Sequence, residues 1–253
     1  MDTRTGSAFA LALLCGALSS APAGAADTVT VLCASTSTAA MHEIVPLFTK
    51  AHPGVIIQPL FGGPQVLAAQ IEADASVADV LVVGESTTKA LAAKLGDPVP
   101  IFRYGEAVLV PQTSSKVHTL RDLANKGVRI ALGVTGSPFR GYADTVIARA
   151  GADYGASFAK EVYDNVTLTR TSDAALGLAV EHGLVDAAIG FTSDVGEGVV
   201  GIRVPQQFDV VTTTYAAPLK AAPHAAIAKD FVAFLAGPEA QAIFRKHHFD
   251  SPR

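Results

Sequence analysis

The sequence predicts an α/β protein of two lobes, each a mixed sheet flanked by helices, with two hinge strands joining them. Three observations carry this expectation. Short apolar β-rich runs alternate with helical patterns from Val29 onward. The alternation starts afresh in a middle block from about Ala107 to Val204. No low-complexity linker separates the blocks, which fits lobes joined by strands better than domains on a loose tether.

The N-terminus stands apart from this pattern. Arg4 supplies a positive start, Ala8 to Leu18 an apolar run, and Ala23-Gly24-Ala25 a small-residue cleavage site, the layout of a secretory signal. The run is too short to span a bilayer. Cleavage after Ala25 or Ala26 is expected, leaving a soluble periplasmic protein. The expected division is a signal peptide at 1–25 and a middle block at 107–210 set between 26–106 and 211–253. Past the leader only Cys33 remains, so no intrachain disulfide is expected, and its place at the end of an apolar strand marks it as a buried small hydrophobe. A net charge of −4 without Lys/Arg blocks speaks against nucleic-acid binding.

In order, Val29 to Ala34 is the opening strand. Met41, Ile44, Val45 and Phe48 then form one helical face, which His52-Pro53-Gly54 ends. Val55-Ile56-Ile57 is a strand, and Gly62-Gly63-Pro64 turns it into a helix with Pro64 at a favoured first position. Ala78 to Val83 is apolar enough for a buried parallel strand, followed after Gly84-Glu85-Ser86 by a helix carrying Leu91 and Leu95. The second block opens with the strand Ala107–Val110. Thr119-Leu-Arg-Asp122 is a capping box, with Asp in place of the usual Glu, opening a short helix that Gly127 ends. Strands at Val128–Leu132, Val166–Leu168 and Ala187–Phe191 alternate with helices through Tyr142 and Val146 and through Leu176 and Val180. A strand at Val210–Tyr215 and two helices, the second from Pro238 to Lys246, close the chain, with His247-His248 as an exposed tail.

Five strand ends carry small hydroxyl or glycine residues: Ser35-Thr36, Gly62-Gly63, Gly136-Ser137, Thr171-Ser172 and Thr192-Ser193. In open α/β sheets, ligands bind where strand ends enter helices, because hydroxyls and free backbone N–H groups meet there. The Ser35 to Thr38 run is expected to cap the helix that follows it. Recurrence across both blocks points to a small anion held in a cleft between lobes. Arg140 and Arg170 stand beside these loops and have the bidentate geometry that suits a carboxylate. No GxSxG, HExxH or CxxC pattern occurs, and no metal or cofactor is expected.

On Val31 to Ile44, Phe61-Gly-Gly63 with Leu67 to Ile71, Ala78-Asp-Val80, Val128 to Gly133 with Pro138 and Tyr142, Asp186-Ala187, and Phe231 to Leu235 with Gly237 to Ile243, the chain resembles the molybdate-binding branch of the type II periplasmic solute-binding proteins. The resemblance implies two lobes, the first built from 26–106 and 211–253 and the second from 107–210, closing on a ligand, with a membrane ABC-type permease as partner; a hinge-closing binder needs no oligomer, so a monomer is expected. It also implies where the pocket differs. The family's first anion-binding serine corresponds to Thr36, its second to Pro64, its pocket tyrosine to Phe191, and its backbone donor before Tyr142 to Phe139, next to Arg140. The expected ligand-binding set is Ser35, Thr36, Gly63, Pro64, Ser137, Phe139, Arg140, Thr171, Ser172 and Phe191. Lost donors at Pro64 and Phe191 argue against molybdate and for a larger anion, such as an organic carboxylate gripped by Arg140. The alternative is a periplasmic isomerase of an unsaturated tricarboxylate, similar to aconitate isomerases, with Tyr142, Glu85 or Asp194 as acid–base groups. Capture for transport is the preferred reading, because a scaffold does not by itself imply catalysis.

Overall fold

A computed structural model describes residues 26–113 and 115–252. The signal segment expected at 1–25 lies outside them. The chain opens with β1 (Asp27–Ala34), whose alternate residues Val29, Val31 and Cys33 are buried under α1 (Thr38–Ala51). Met41, Ile44 and Phe48 supply the buried stripe of α1, as their spacing predicts. The Cys33 thiol is inert, since burial pushes its acidity far from the physiological range. Then come β2 (Val55–Gly62), α2 (Pro64–Ala73), β3 (Val80–Gly84), α3 (Glu85–Ala90) and β4 (Val99–Tyr104).

A single residue, Gly105, separates β4 from β5 (Glu106–Pro111), the first strand of the second block. That block continues through β6 (Ile130–Gly133), α4 (Pro138–Tyr154), α5 (Phe158–Asp164), β7 (Val166–Arg170), α6 (Ala174–Glu181), β8 (Ala187–Phe191) and β9 (Val199–Arg203). The chain then returns to the first block with β10 (Thr212–Pro218), α7 (Ala225–Ala236) and α8 (Pro238–Lys246).

The two sheets follow one plan. In the first, ordered β2-β1-β3-β10-β4, β1 runs parallel to both neighbours, while β10 is antiparallel to β3 and β4. In the second, ordered β7-β6-β8-β5-β9, β6 takes the central parallel place and β5 is antiparallel to β8 and β9. Each sheet has apolar clusters on both faces, so helices cover both sides as the uniformly apolar strands require.

The shared plan extends to hydrogen bonds. Asp79, buried just before β3, accepts the Thr30 N–H of β1 at 2.9 Å and the His224 N–H at 2.7 Å. Asp186, just before β8, accepts the Arg129 N–H next to β6 at 2.9 Å, and the Arg129 guanidinium holds its carboxyl down at about 2. Each carboxylate ties the entry of one parallel strand to its neighbour.

At the crossings, the Asp209 carboxylate accepts the Glu106 N–H at 2.8 Å and the Val210 N–H at 2.7 Å. It lies against Gly105, where an added Cβ would meet Oδ1 at only 2.8 Å. Asp250 adds a second tie, bonding through its backbone to Arg103 of β4 and through its carboxylate to Arg203 of β9 at 2.8 Å.

Several expectations need correction. The hydroxyls of Ser35 to Thr38 do not cap α1; Ser35–Ser37 form a 3₁₀ turn, and the Ser37 and Thr38 hydroxyls donate back to the Ala34 and Ser35 carbonyls. The helix expected to carry Leu91 and Leu95 ends at Ala90, because Leu95 bridges Leu219 and the Gly96 N–H bonds to Pro218 O. β4, α5 and β9 were not expected: Pro100 and Gly201 interrupt the strand patterns, and α5 is too short to show a helical period. His247 is not a free tail, since its Nε2 pairs with Glu43 of α1 at 2.9 Å.

Gly105→Ala would displace Asp209 from both crossings. Losing its two charge-assisted bonds should lower stability by on the order of 3 kcal/mol, read as an earlier midpoint in urea unfolding. A midpoint equal to that of the unsubstituted protein would show that the crossings do not depend on this contact.

Candidate functional site

The ends of β1, β2 and β3, the tip of β4 and the start of β10 all open on one side of the first sheet. Facing them are the start of α4, the β7–α6 turn and the end of β8. Between them lies a cavity of about 570 Å³. The first sheet contributes Ala34, Ser35, Thr36, Gly62, Gly63, Pro64, Gln65, Gly84, Glu85, Ser86, Thr87, Tyr104, Val211, Thr212 and Thr213. The second contributes Phe139, Tyr142, Thr171, Ser172, Asp173 and Phe191.

The geometry brings together Ser35, Thr36, Gly63, Pro64, Phe139, Thr171, Ser172 and Phe191 from the expected binding set, and Tyr142 and Glu85 from the catalytic alternative. Thr36 is the sharpest of them. With Ser37 and Thr38 committed to backbone carbonyls, its buried hydroxyl makes no hydrogen bond within 3.5 Å among the described residues, though it lies close enough to the Tyr104 phenol to favour that phenol's ionised form. An unpaired buried hydroxyl is costly, so it marks a place prepared for another polar group. Pro64 stands at the first position of α2, where its missing N–H costs nothing, and Gly63 precedes it as the N-cap.

Three expected residues stand elsewhere. Ser137 caps α4, accepting the Arg140 N–H at 3.4 Å and donating to Val134 O at 2.9 Å. The Arg140 guanidinium does not line the cavity. Its Nε pairs with Asp144 one helical turn on, at 2.6 Å, its Nη1 donates to Gly133 O at 3.1 Å, and it lies 5.4 Å from the Tyr163 ring centre. Asp194 sits behind the wall, in the 3₁₀ turn after β8, with its carboxylate on the Phe191 N–H at 2.8 Å. Arg170 is also outside the lining, donating to the Thr169 carbonyl.

The sequence reading missed Tyr104, Asp173, Gln65 and the Val211–Thr213 segment. Tyr104 and Val211 flank the two crossings, so only the tertiary fold brings them to the cavity. Asp173 was visible as the N-cap of α6, where its carboxylate accepts the Ala174 N–H.

Glycines shape the walls at two places. At Gly133, a Cβ would fall 2.5 Å from the Phe139 ring, so this ring packs directly on backbone. At Gly190, a Cβ would fall 2.9 Å from the Asp194 carboxylate, so the bare α-carbon makes room for that group.

Electrostatically the site is acidic. No Lys or Arg lines the cavity among the described residues, while Glu85 and Asp173 do. Behind the lining, burial and the neighbouring Asp173 charge push Asp194 up to about 7. Burial, together with Asp194, Asp209 and Asp173, pushes Glu106 well above the carboxylate range.

A family of bacterial extracellular solute-binding proteins matches residues 29–250. The chain belongs to this family. Solved structures share its fold. The substrate-binding domain assigned to a molybdenum ABC transporter from Clostridium difficile superposes with a TM-score of 0.75 at 20% identity, covering 88% of this chain and 98% of that one. The periplasmic molybdate-binding protein of Azotobacter vinelandii gives a TM-score of 0.70 at 18% identity, covering 89% and 100%. Iron-bound HitA from Pseudomonas aeruginosa gives 0.67 at 24% identity, covering 90% and 87%. No curated protein matches in sequence. The expected two-lobed solute-binding fold is therefore the observed one, and the cavity of this solute-binding protein lies between its two sheets.

Because Asp194 titrates near 7 when folded and near its ordinary 3.8 when unfolded, the folded chain holds the extra proton between those values. Its stability contribution is present at low pH and is lost as pH rises through about 7. Melting temperature should fall between about pH 4 and about pH 7 and level off above that, and Asp194→Asn should flatten the slope. An unchanged slope in the variant would assign the dependence to another group.

Proposed function

We propose that this solute-binding protein is exported through its 1–25 segment, captures a small organic carboxylate in the cleft, and presents it to an ABC-type permease as a monomer. Closure would bring the lobes formed by 26–106 with 211–253 and by 107–210 together about the two crossings. The carrying observation is the cavity itself. Its volume of about 570 Å³ falls inside the range of roughly 300–1,000 Å³ typical of small-molecule sites, and a lone tetrahedral oxyanion would leave most of it to water. One wall offers the hydroxyls of Ser35 and Thr36, which suit a carboxylate. The other offers aromatic surface, which suits an organic body.

The acidic lining disfavours multiply charged oxyanions such as molybdate. It also favours capture over tricarboxylate isomerisation, since holding three carboxylates calls for cations, and Arg140 and Arg170 are turned to other partners.

Thermal shift and calorimetry against a panel of monocarboxylates, dicarboxylates, molybdate and aconitate test the reading. A bound carboxylate at a hundredfold excess over its Kd should stabilise the fold by about 2.7 kcal/mol. Thr36→Val should weaken that carboxylate by about 1–3 kcal/mol without lowering the unliganded melting temperature. Tight molybdate binding without carboxylate binding, or chromatographic interconversion of cis- and trans-aconitate, would overturn the proposal.

A further inference from the structure

The cavity lining carries more hydroxyl groups than one carboxylate can use, and the first sheet sets them in a row. β1, β3 and β10 are neighbours in that sheet. At the cavity, the end of β1 leads into Ser35 and Thr36, the end of β3 into Ser86 and Thr87, and β10 begins with Thr212 and Thr213. Pairing of Thr214 with Gly84 carries the last two past the end of β3 to the start of α3. The Thr212 methyl lies 3.4 Å from where a Cβ on Gly84 would stand, so the bare α-carbon lets β10 bring this side chain close. Neighbouring strands are about 4.8 Å apart, which gives the row a reach of roughly 10 Å from β1 to β10. A two- or three-carbon acid seated at Ser35 and Thr36 would leave the far end untouched, whereas an open chain of about six carbons would follow the whole row.

The chemistry of the row says what that chain carries. Hydroxyls both donate and accept, and the carboxylates of Glu85 and Asp173 accept only. Glu85 is engaged through one oxygen by the exposed Lys89 at 2.7 Å, and Asp173 through one oxygen by the Ala174 N–H at 3.0 Å. An alkyl chain laid along such a wall would strip water from these groups and return no hydrogen bond to them. A chain bearing a hydroxyl on each carbon would pair with them instead, donating to the carboxylates in charge-assisted bonds. A second anionic group at the far end would meet no lysine or arginine in the lining among the described residues.

We infer that the captured solute is an open-chain sugar acid with one carboxylate: the carboxylate lies against Ser35 and Thr36, and the hydroxyls run along the strand ends past Gly84 to Thr212 and Thr213. This rests on the carboxylate-capture reading and narrows it to a substrate class. Ser86, Thr87, Thr212 and Thr213 become the specificity-determining residues, because they meet the part of the solute that a simple fatty acid lacks.

Calorimetry on the purified chain tests this with three six-carbon aldonates, gluconate, galactonate and mannonate, against hexanoate, which keeps the carboxylate and the carbon count but has no hydroxyl. The best aldonate should bind at least tenfold more tightly than hexanoate. Thr213→Val keeps the side-chain shape and suits a strand, so the fold should persist. It should weaken that aldonate about threefold to tenfold and weaken hexanoate less. Hexanoate binding as tightly as every aldonate, or an equal loss for both compounds in the variant, overturns the inference and leaves carboxylate capture standing. Binding of sorbitol, galactitol or mannitol, which have no carboxylate, as tightly as the best aldonate upholds the hydroxyl row but overturns carboxylate capture.

Discussion

The Asp209 carboxylate receives N–H groups from Glu106 and Val210 and rests against the bare α-carbon of Gly105, so both chain crossings between the sheets meet at one side chain. The cavity depends on this meeting. Tyr104, one residue before Gly105, and Val211, two residues after Asp209, both line it. Rotation about the crossings therefore moves part of the wall directly. The same seam is strongly acidic, with Glu106 buried and Asp194 packed beside Gly190, so much of it stays protonated where surface carboxyls are ionised.

The two sheets solve one structural problem in parallel. Asp79 and Asp186 hold equivalent strand entries, one with help from His224 and the other with Arg129. Both bonds fix the end of the sheet remote from the cleft, leaving the opposite strand ends free to carry binding chemistry. That separation keeps the cleft residues, Pro64 and Phe191 among them, out of the bonds that fix the strand entries.

Much of the fold was legible in the sequence because its signals are local. Uniformly apolar runs read as buried strands, and Gly63-Pro64 and Ser137 sit at helix starts. The strand ends carrying hydroxyls marked most of one wall. What was illegible depended on distance or competition. Tyr104 and Val211–Thr213 reach the cavity only through the crossings, which no periodicity reveals. Arg140 was misread because its partner was overlooked: Asp144 stands four residues later, where a helix brings the two side chains together. The Ser35–Thr38 run was misread for a similar reason, since hydroxyls in a 3₁₀ turn satisfy the carbonyls just behind them before they reach helix N–H groups.

Three of the four rings at the cleft, Phe139, Tyr142 and Phe191, belong to the second sheet, while Thr36 and the start of α2 belong to the first. A solute touching only one side lowers the energy of open and closed forms alike and shifts no population between them. Only a molecule that touches both sides at once favours the shut form. A cleft that shuts on its solute in this way would act as a calliper, gauging how well the solute spans the gap, and a permease docking the shut form would receive a report on size as well as on chemical type.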